Sequence, residues 1–511
     1  MQLFEGPAAN NLIQDPLFIN GWVRLLDQCP WGTVFQSPEF VKTWYDTFVD
    51  YSRIILVEFD QNNPIGILFM TIDKNGKLVG VGTNISEYQV WICLASDNQF
   101  QIEAFNLLTK KYPKKTISLK YIPKPQEYPI KKLNIGLNHS MLTMLHQRPV
   151  MKNNTEWLNI ELKKKNRKEK LNRLKKIGEL KFESIKEIKI FQKILPELVF
   201  QNDLRKGALY GKIAFMDEPK RIDFLLKLFQ TGILHVTILK VGETIIASNA
   251  GIKDKNIVYL QGLNSFSPYY AKYSPGILHF LMLGKQLDSE MIPFFDLTPG
   301  GIEGYKSMLA TEFWTCSEIL VATKRKILWV QFKEKVKKYL SKYDFTKPNS
   351  IVSSKIHEVI GKLNPFDFKF SANFLILKME TISTSKKTIQ LIVGKPKVSS
   401  IANLEFNRGD LRSLFAIPTY NEEQKRKAFF QDCLKRMETG QEFYSIEDGT
   451  ICIGVLWSWS TPSTQIDFNN QSINYQFSFL KKNWVANMEE MASIVHSKWN
   501  SQSAKAQLIH N

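Results

Sequence analysis

Short apolar runs separated by tight polar turns recur three times along the chain. Each recurrence has two strand-length runs that flank a turn containing Gly, Pro, Asn or Asp, which predicts an antiparallel β-hairpin. The paired runs are residues 54–60 with 65–70, 234–239 with 245–251, and 442–446 with 451–457. A third apolar run, at residues 257–262, follows the middle hairpin. The repetition predicts three related units.

A helix-like segment precedes each hairpin. Ser37 and Pro38 suit the N-cap and the first position of a helix that continues to residue 45. Residues 220–229 and 424–437 carry apolar side chains near helical spacing. Helices that accompany largely antiparallel hairpins predict an α+β fold.

Two polar stretches, at residues 148–154 and 342–348, divide the chain. A length of 511 residues is too great for one ordinary core and favours about three domains. The expected division is a first domain at residues 1–150, a second at 151–342, a linker with the start of a third module at 343–402, and a partial third domain at 403–511.

The tripeptide Ser274-Pro275-Gly276 interrupts an aromatic, strand-like run and is followed by an apolar segment. Ser at the N-cap and Pro at the first helical position predict that a helix begins there. A helix N-terminus presents unpaired amides and a positive dipole end, and Gly276 lets an anion approach the bare backbone. The tripeptide therefore indicates a site suited to a pyrophosphate. His279, inside the apolar segment, is expected to be a core residue.

Composition narrows the class of protein without identifying a partner. A hydrophobic fraction of 44% and a charged fraction of 23% are typical of a folded soluble protein, and a net charge of +19 favours polyanionic partners. The five cysteines have neither metal-ligand nor disulfide spacing, so we expect no metal and a reducing, cytoplasmic location. No apolar run reaches the ~18 residues of a membrane span, and the N-terminus lacks a signal-peptide pattern.

The most basic stretch, residues 163–176, contains nine Lys or Arg and one Glu, an excess of eight positive charges. The apolar residues Leu171, Leu174 and Ile177 predict a helix that lies on the protein body and presents a cationic face. This helix is interpreted as a solvated linker, or as a site for the donor's phosphates, for an anionic or lipid-linked acceptor, or for a tRNA backbone. It lacks the interleaved aromatic residues that stack single-stranded nucleic acid.

Several segments resemble the acyltransferases of the GNAT superfamily, namely residues 35–48, 247–252, 270–283 and 294–310. They are similar to the double-domain type associated with bacterial polysaccharide (cellulose-type) biosynthesis and related to the Fem peptidyltransferases. Residues beyond about 403 resemble a further, degenerate GNAT domain. The superfamily's usual Arg-x-x-Gly-x-Gly loop is absent from the sequence.

The resemblance implies tandem GNAT-like domains, each a mostly antiparallel sheet whose central strands splay apart. Acetyl-CoA or another acyl-CoA would be the co-substrate, bound in the V-shaped opening. The donor-binding residues implied are those around the predicted helix start: Tyr273, Ser274, Pro275, Gly276, Ile277 and Leu278.

Acyl-transfer chemistry is expected around Asp296, Tyr305 and Lys306. The reaction needs a base for the attacking amine or hydroxyl, and donors for the carbonyl oxygen as it becomes negative. Asp296 ends an apolar strand before a Gly-rich loop, and in the relatives the matching element lines the acceptor cleft. We assign Lys306 to charge on the carbonyl or on a phosphate, and Tyr305 to proton donation or substrate packing. Asp296 is assigned to orientation, general-base work or hydrogen bonding to the turn amides; Glu303 is a weaker candidate base.

The leading hypothesis is an acyl-CoA-dependent N- or O-acyltransferase that acts on a sugar, an amino sugar, or an envelope or polysaccharide precursor. One alternative is a Fem-like transferase that takes an aminoacyl group from tRNA and uses residues 163–176 to bind it. The other is a non-catalytic scaffold in polysaccharide biosynthesis. Only the middle unit carries both the helix start and the Asp–loop–Tyr-Lys element, so we expect one active centre, with the first unit as its opposite wall and the third as auxiliary.

Overall fold

The computed structural model describes residues 1–94, 99–123, 134–135, 138–342, 404–417, 423–449, 451–460, 473–480 and 506–508, together with Met491 and Ile494. The helices of this part are α1 Gly6–Gln14, α2 Pro16–Gln28, α3 Pro38–Thr47, α4 Phe100–Lys111, α5 Thr155–Lys163, α6 Lys165–Ile177, α7 Ile188–Tyr210, α8 Ala214–Asp217, α9 Lys220–Gln230, α10 Pro275–Ser289, α11 Tyr305–Leu309, α12 Lys324–Lys342, α13 Leu411–Phe415 and α14 Glu423–Glu438. Short 3₁₀ helices occupy Val34–Gln36 and Pro268–Tyr273.

The strands are β1 Gln2–Glu5, β2 Ile54–Asp60, β3 Asn63–Ile72, β4 Leu78–Gly80, β5 Ile92–Cys93, β6 Ile117–Ile122, β7 Asn134–Ile135, β8 His139–Lys152, β9 Leu180–Ile185, β10 Leu234–Val241, β11 Thr244–Lys253, β12 Ile257–Phe266, β13 Phe294–Asp296, β14 Glu312–Thr323, β15 Glu405–Arg408, β16 Glu442–Asp448, β17 Ile451–Ser460, β18 Ile473–Leu480 and β19 Ala506–Leu508. Helices and mostly antiparallel strands are both well represented, which confirms the predicted α+β fold.

The three predicted hairpins are confirmed. β2 pairs with β3, β10 with β11, and β16 with β17, all antiparallel. Each hairpin has an irregularity near the end of its first strand, after Glu58, Leu239 and Ile446 respectively. Each unit also contains a parallel strand pair, which is β4·β6, β12·β13 or β18·β19. The units therefore repeat in topology as well as in sequence pattern.

The first two units share one continuous sheet of 14 strands. Its order is β1-β2-β3-β4-β6-β14-β8-β13-β12-β11-β10-β9, with β5 beside β3 and β7 beside β8. β14 belongs to the second unit along the chain, yet in the sheet it lies between β6 and β8. It pairs with β8 from Glu312 opposite Val150 to Thr323 opposite His139. β6 pairs with β4 along one edge and with β14 along the other. The sheet of the first unit therefore includes a strand from the second unit.

The predicted helix starts and spans are largely confirmed. The side chain of Ser37 accepts a hydrogen bond from the amide of Phe40, and Pro38 is the first residue of α3. The segments predicted at 220–229 and 424–437 are α9 and α14. The basic stretch is helical but forms two helices, since α5 ends at Lys163 and α6 begins two residues later.

The centre of the second unit is splayed. Residues 257–259 of β12 pair with residues 294–296 of β13 in parallel, and β13 ends there. The remainder of β12 pairs with β11, so its other edge is open among the described residues. Gly262 lies on this open half with a φ of +109°, and a Cβ there would come 2.4 Å from the carbonyl oxygen of Ala250. The resulting opening is the V-shaped cleft that the resemblance implied.

The third unit packs on the second through α14, and its own strands form a separate sheet in the order β15-β16-β17-β18-β19. α14 contacts α7 and the 3₁₀ segment Pro268–Tyr273. Phe430 of α14 lies so close to Gly207 of α7 that a Cβ at residue 207 would be 2.6 Å from its ring. Arg426 adds an ion pair with Asp217 at 3.0 Å. The third unit thus packs against α7 and against the segment that leads into α10.

The described part of the chain contains no helix that is both apolar and long enough to cross a bilayer. All five cysteines are buried.

Candidate functional site

Helix α10 begins beside the open edge of β12. Its first residue is Pro275, as predicted. The amides of Ile277 and Leu278 donate to the carbonyl oxygen of Ser274 at 3.1 and 3.3 Å, whereas the Gly276 amide has no backbone acceptor among the described residues. A Cβ at residue 276 would have only Cδ1 of Phe266, at 3.8 Å, within 4 Å. The helix tip is therefore accessible and retains an unpaired donor.

Ser274 does not cap α10 with its side chain, so that part of the prediction is wrong. Its backbone is left-handed, with φ 53° and ψ 51°, and its side chain accepts no hydrogen bond from the first turn. The Ser274 hydroxyl instead accepts a hydrogen bond of 2.8 Å from Nζ of Lys170, which is 104 residues away on α6. This contact brings the basic helix to the start of α10.

A cavity of about 310 Å³ lies between α6 and the segment that leads into α10. It is lined by Asn166, Glu169, Lys170, Arg173, Lys272 and Tyr273. Three of these side chains are cationic and one is anionic, and the one carboxylate pairs with Arg173 at 2.5 Å. The positive end of the α10 dipole adds to the cationic excess. The basic helix and the start of α10 therefore form one electropositive surface.

The other predicted donor residues differ in what they expose. Tyr273 lines the cavity, and Ile277 is half-buried. Leu278 is buried in the core, so only its backbone faces the helix start. His279 is fully buried with Nε2 3.1 Å from Oγ1 of Thr237, and burial lowers its pKa to about 3. The imidazole is neutral at physiological pH, which confirms the expected core role.

Asp296 lies at the tip of β13, and its carboxylate is fully buried. Oδ2 accepts hydrogen bonds from the hydroxyl of Tyr88 at 2.5 Å and from Nε of Arg148 at 2.9 Å, and Oδ1 accepts one from the amide of Thr298 at 2.7 Å. The Arg148 guanidinium lies 4.6 Å from the ring centroid of Tyr88 and 5.0 Å from that of Trp314. Burial and then the charge of Asp296 raise the pKa of Tyr88, so its hydroxyl remains a donor. This network links the first unit to the loop of the second.

Tyr305 and Lys306 begin α11, directly after that loop. Nζ of Lys306 donates to the carbonyl oxygens of Thr298 at 2.8 Å and Pro299 at 3.2 Å, and to Oγ1 of Thr298 at 3.3 Å. All three ammonium hydrogens therefore have acceptors in the loop, which Lys306 holds in place. The ring of Tyr305 packs 6.0 Å from that of Phe280 on α10. Burial raises the pKa of Tyr305, so its hydroxyl is protonated at neutral pH.

Helix α7 contributes two cations that the sequence analysis did not identify, Arg205 and Lys206. Nη2 of Arg205 donates to the main-chain oxygen of Asn264 at 3.2 Å and also to its side chain. The guanidinium lies 5.7 Å from the ring centroid of Phe266, and Nζ of Lys206 lies 5.5 Å from that of Tyr210. In the sequence, an Arg-Lys pair near the end of a long helix is indistinguishable from ordinary C-terminal basic residues.

These α7 cations lie close enough to α11 for their charges to interact. Arg205 interacts electrostatically with Tyr305, and Lys206 with Lys306 and with Glu87 of the first unit. Glu303, the weaker candidate base, is exposed in the loop. Among the described residues, no group of three or more His, Cys, Asp and Glu side chains is arranged to hold a metal ion.

Residues 163–307 match the acetyltransferase (GNAT) domain family. The matched range begins on the basic segment and ends just after Lys306, so it contains α6, the tip of α10, the β12–β13 opening and the Asp296 loop. The second unit is therefore a GNAT-type domain in both sequence and splayed-sheet geometry. No curated protein sequence matches the chain.

Solved structures that match the chain share little sequence with it. A conserved protein of unknown function from Bacteroides thetaiotaomicron is 10% identical, with a TM-score of 0.41 over 60% of this chain and 97% of that one. L-PGS from Bacillus licheniformis is 12% identical, with a TM-score of 0.37 over 61% and 93%. FemX is 10% identical, with a TM-score of 0.39 over 65% and 99%. These scores are too low to transfer a substrate to this chain.

Proposed function

We propose that the protein is an acyl-CoA-dependent N- or O-acyltransferase of the GNAT type that acts on a sugar, an amino sugar, or an envelope or polysaccharide precursor. The observation that carries the proposal is the cationic tip of α10 beside the open edge of β12. Such a tip binds the diphosphate of a carrier, and the open strand edge accepts its extended arm. One active centre in the second unit follows from this arrangement.

The donor's diphosphate is proposed to bind between α6 and α10. The Gly276 amide and the helix dipole supply the fixed part of the site. Lys170, Arg173 and Lys272 supply mobile charge around the cavity. The amide-containing arm of coenzyme A then adds to the free edge of β12 as an extended strand would, through main-chain hydrogen bonds. This path leads from the cavity towards Tyr305 and the Asp296 loop.

In the proposed reaction, the acceptor's amine or hydroxyl attacks the thioester carbonyl, the C–S bond breaks, and the acceptor's proton passes to solvent. The leaving thiolate takes a proton from the Tyr305 hydroxyl, and solvent then returns a proton to Tyr305. Burial raises the pKa of Tyr305, so the hydroxyl holds its proton until the thiolate forms. Lys306 holds the loop beside the reacting carbonyl and places positive charge there as the oxygen becomes negative. Asp296 is a positioning residue, since Tyr88, Arg148 and Thr298 already occupy its oxygens.

A second candidate donor is an aminoacyl-tRNA. It is favoured by the exposed cations Lys168, Lys175 and Lys176, because they extend the positive face of α6 beyond the cavity that a diphosphate would fill. Contacts of this kind bind a polyanionic backbone and make affinity steeply dependent on salt.

Calorimetric titration of the full chain with CoA, acetyl-CoA, longer acyl-CoAs and charged tRNA tests both donors. We expect micromolar-range binding of an acyl-CoA, and Lys170→Glu weakens it by about tenfold or more because a charge-assisted contact becomes repulsive. Lys168→Glu is the matched control, since it makes the same charge change on the same helix outside the cavity.

If Lys170→Glu and Lys168→Glu weaken acyl-CoA binding equally, the ligand responds to the overall positive charge of α6 and does not bind in the cavity. Binding of charged tRNA that is lost between about 50 and 200 mM salt, without binding of any CoA compound, would replace the acyl-CoA proposal with the tRNA alternative.

A further inference from the structure

The inner end of the cleft collects three cations from two helices. Arg205 and Lys206 come from α7, and Lys306 comes from α11. Among the described residues none of the three forms an ion pair; the carboxylates that act on them without pairing are Glu87, on Lys206 and Lys306, and Asp296, on Lys306. Each of the three side chains is at least partly buried. Partly buried cations without a paired carboxylate are costly, so a fold that keeps them indicates a ligand of opposite charge.

The guanidinium of Arg205 is fixed in position by two neighbouring residues. Asn264 fixes one edge of its guanidinium through Nη2, and Cζ lies over the ring of Phe266 at 5.7 Å from its centroid. Nε is buried and has no hydrogen-bond partner in the part of the chain that the structure describes. A planar guanidinium fixed on one edge, with a donor left unpaired, is suited to receive a carboxylate or phosphate oxygen.

Lys206 supplies a mobile second donor beside it. Its Nζ lies over the ring of Tyr210 and has no hydrogen-bond acceptor among the described residues. Burial, and then the charge of Arg205, lower the pKa of Lys206 to about 8. An anion bound between Arg205 and Lys206 would compensate the burial and restore the fully charged ammonium.

We propose that Arg205 and Lys206 form a binding subsite for a carboxylate or phosphate group carried by the acyl acceptor, so that the enzyme selects acidic acceptors. The subsite rests on the proposed function, because Arg205 interacts electrostatically with Tyr305, and Lys206 with Lys306, the two residues assigned to the proposed reaction. Lys306 adds positive charge to the subsite, but its own hydrogen bonds are committed to the loop.

The test is protection of Lys206 from reductive methylation by formaldehyde and borohydride, read residue by residue by mass spectrometry on the full chain. The probes are glucose 1-phosphate and glucuronate, with glucose as the uncharged match. At ten times its dissociation constant, one of the anions is expected to slow methylation of Lys206 by about tenfold, while glucose leaves it unchanged. The two anions distinguish a phosphate subsite from a carboxylate subsite.

Arg205→Gln is expected to remove this protection, and Lys193→Met, which deletes an exposed charge from the same helix, is expected to keep it. Circular dichroism of both variants controls for folding. If neither anion protects Lys206 more than glucose does, the subsite is overturned. It is also overturned as an acceptor site if CoA alone protects Lys206, because the cations then belong to the donor.

Titration with acetyl-CoA separates this outcome from that of the proposed function. Acetyl-CoA binding without anion protection would refute the subsite and leave the acyltransferase standing. Anion protection without binding of any CoA compound would refute the acyl-CoA-dependent function and leave an anion site whose ligand is not an acyl acceptor of that enzyme.

Discussion

Replacing Asp296 with Asn tests whether the buried carboxylate holds the two units together. The substitution keeps the shape of the side chain and removes its charge, so Arg148 is left buried without a counter-ion. The Arg148 and Asp296 side chains are 7% and 0% exposed, and the Nε–Oδ2 distance is 2.9 Å. Breaking a buried pair from one side costs about 3–5 kcal/mol, because an uncompensated charge remains inside. We expect a loss of this size in the free energy of unfolding.

Urea denaturation followed by tryptophan fluorescence measures this loss, and Trp314, whose ring is 5.0 Å from the Arg148 guanidinium, reports on the site. The matched control is Asp27→Asn, which breaks an exposed ion pair with Lys255 at 2.8 Å. Because both side chains of that pair are exposed and solvent screens their charges, the control is expected to unfold close to the parent. The double variant Arg148→Met with Asp296→Asn should recover much of the stability, because it leaves no unpaired charge.

The reasoning is refuted if Asp296→Asn and Asp27→Asn unfold at the same urea concentration. It is also refuted if the double variant is less stable than Asp296→Asn by the full cost of a second independent change, since the two residues would then not be coupled. Activity of folded Asp296→Asn separates the remaining roles, because loss of a general base costs about 10²–10⁴-fold in rate.

Three further outcomes are expected. Gly276→Val should leave stability nearly unchanged, because the nearest atom to its Cβ is 3.8 Å away. It should weaken acyl-CoA binding by about tenfold or more, because the side chain blocks the tip of α10. Unchanged affinity in calorimetry would contradict the donor site. Gly207→Ala should destabilise the docking of the third unit by about 1–3 kcal/mol, because its Cβ would lie 2.6 Å from the ring of Phe430. Limited proteolysis should cut this variant faster than the parent, and the added substitution Phe430→Leu should restore resistance. Equal digestion of the parent, the single variant and the double variant would contradict this prediction. The free energy of unfolding should fall as the pH drops from about 6.5 towards 3. In this range His279 is protonated in the unfolded chain but stays neutral in the folded protein, where burial lowers its pKa to about 3. Denaturation curves measured at a series of pH values should show a shallower fall for His279→Asn.

The errors of the sequence analysis arose where distant segments meet. Ser274 was expected to cap α10 because Ser before Pro is a local start signal, but its left-handed backbone and its bond to Lys170 depend on a helix 104 residues earlier. The Asp296 loop was recognised, whereas Arg148 was not, because nothing in the sequence indicates that residues 148 positions apart form a pair.

The sequence by itself determined the hairpins, the helix that begins at Pro275 and the strand that ends at Asp296, because alternation of apolar residues, turn residues and proline act over a few neighbouring positions. Only the tertiary structure decided that β14 joins the first unit's sheet, that α6 lies beside the tip of α10, and that Arg205 and Lys206 lie near α11. These arrangements depend on which buried surfaces and strand edges are complementary across the whole chain. A pattern of a few neighbouring residues does not specify which distant segment it packs against.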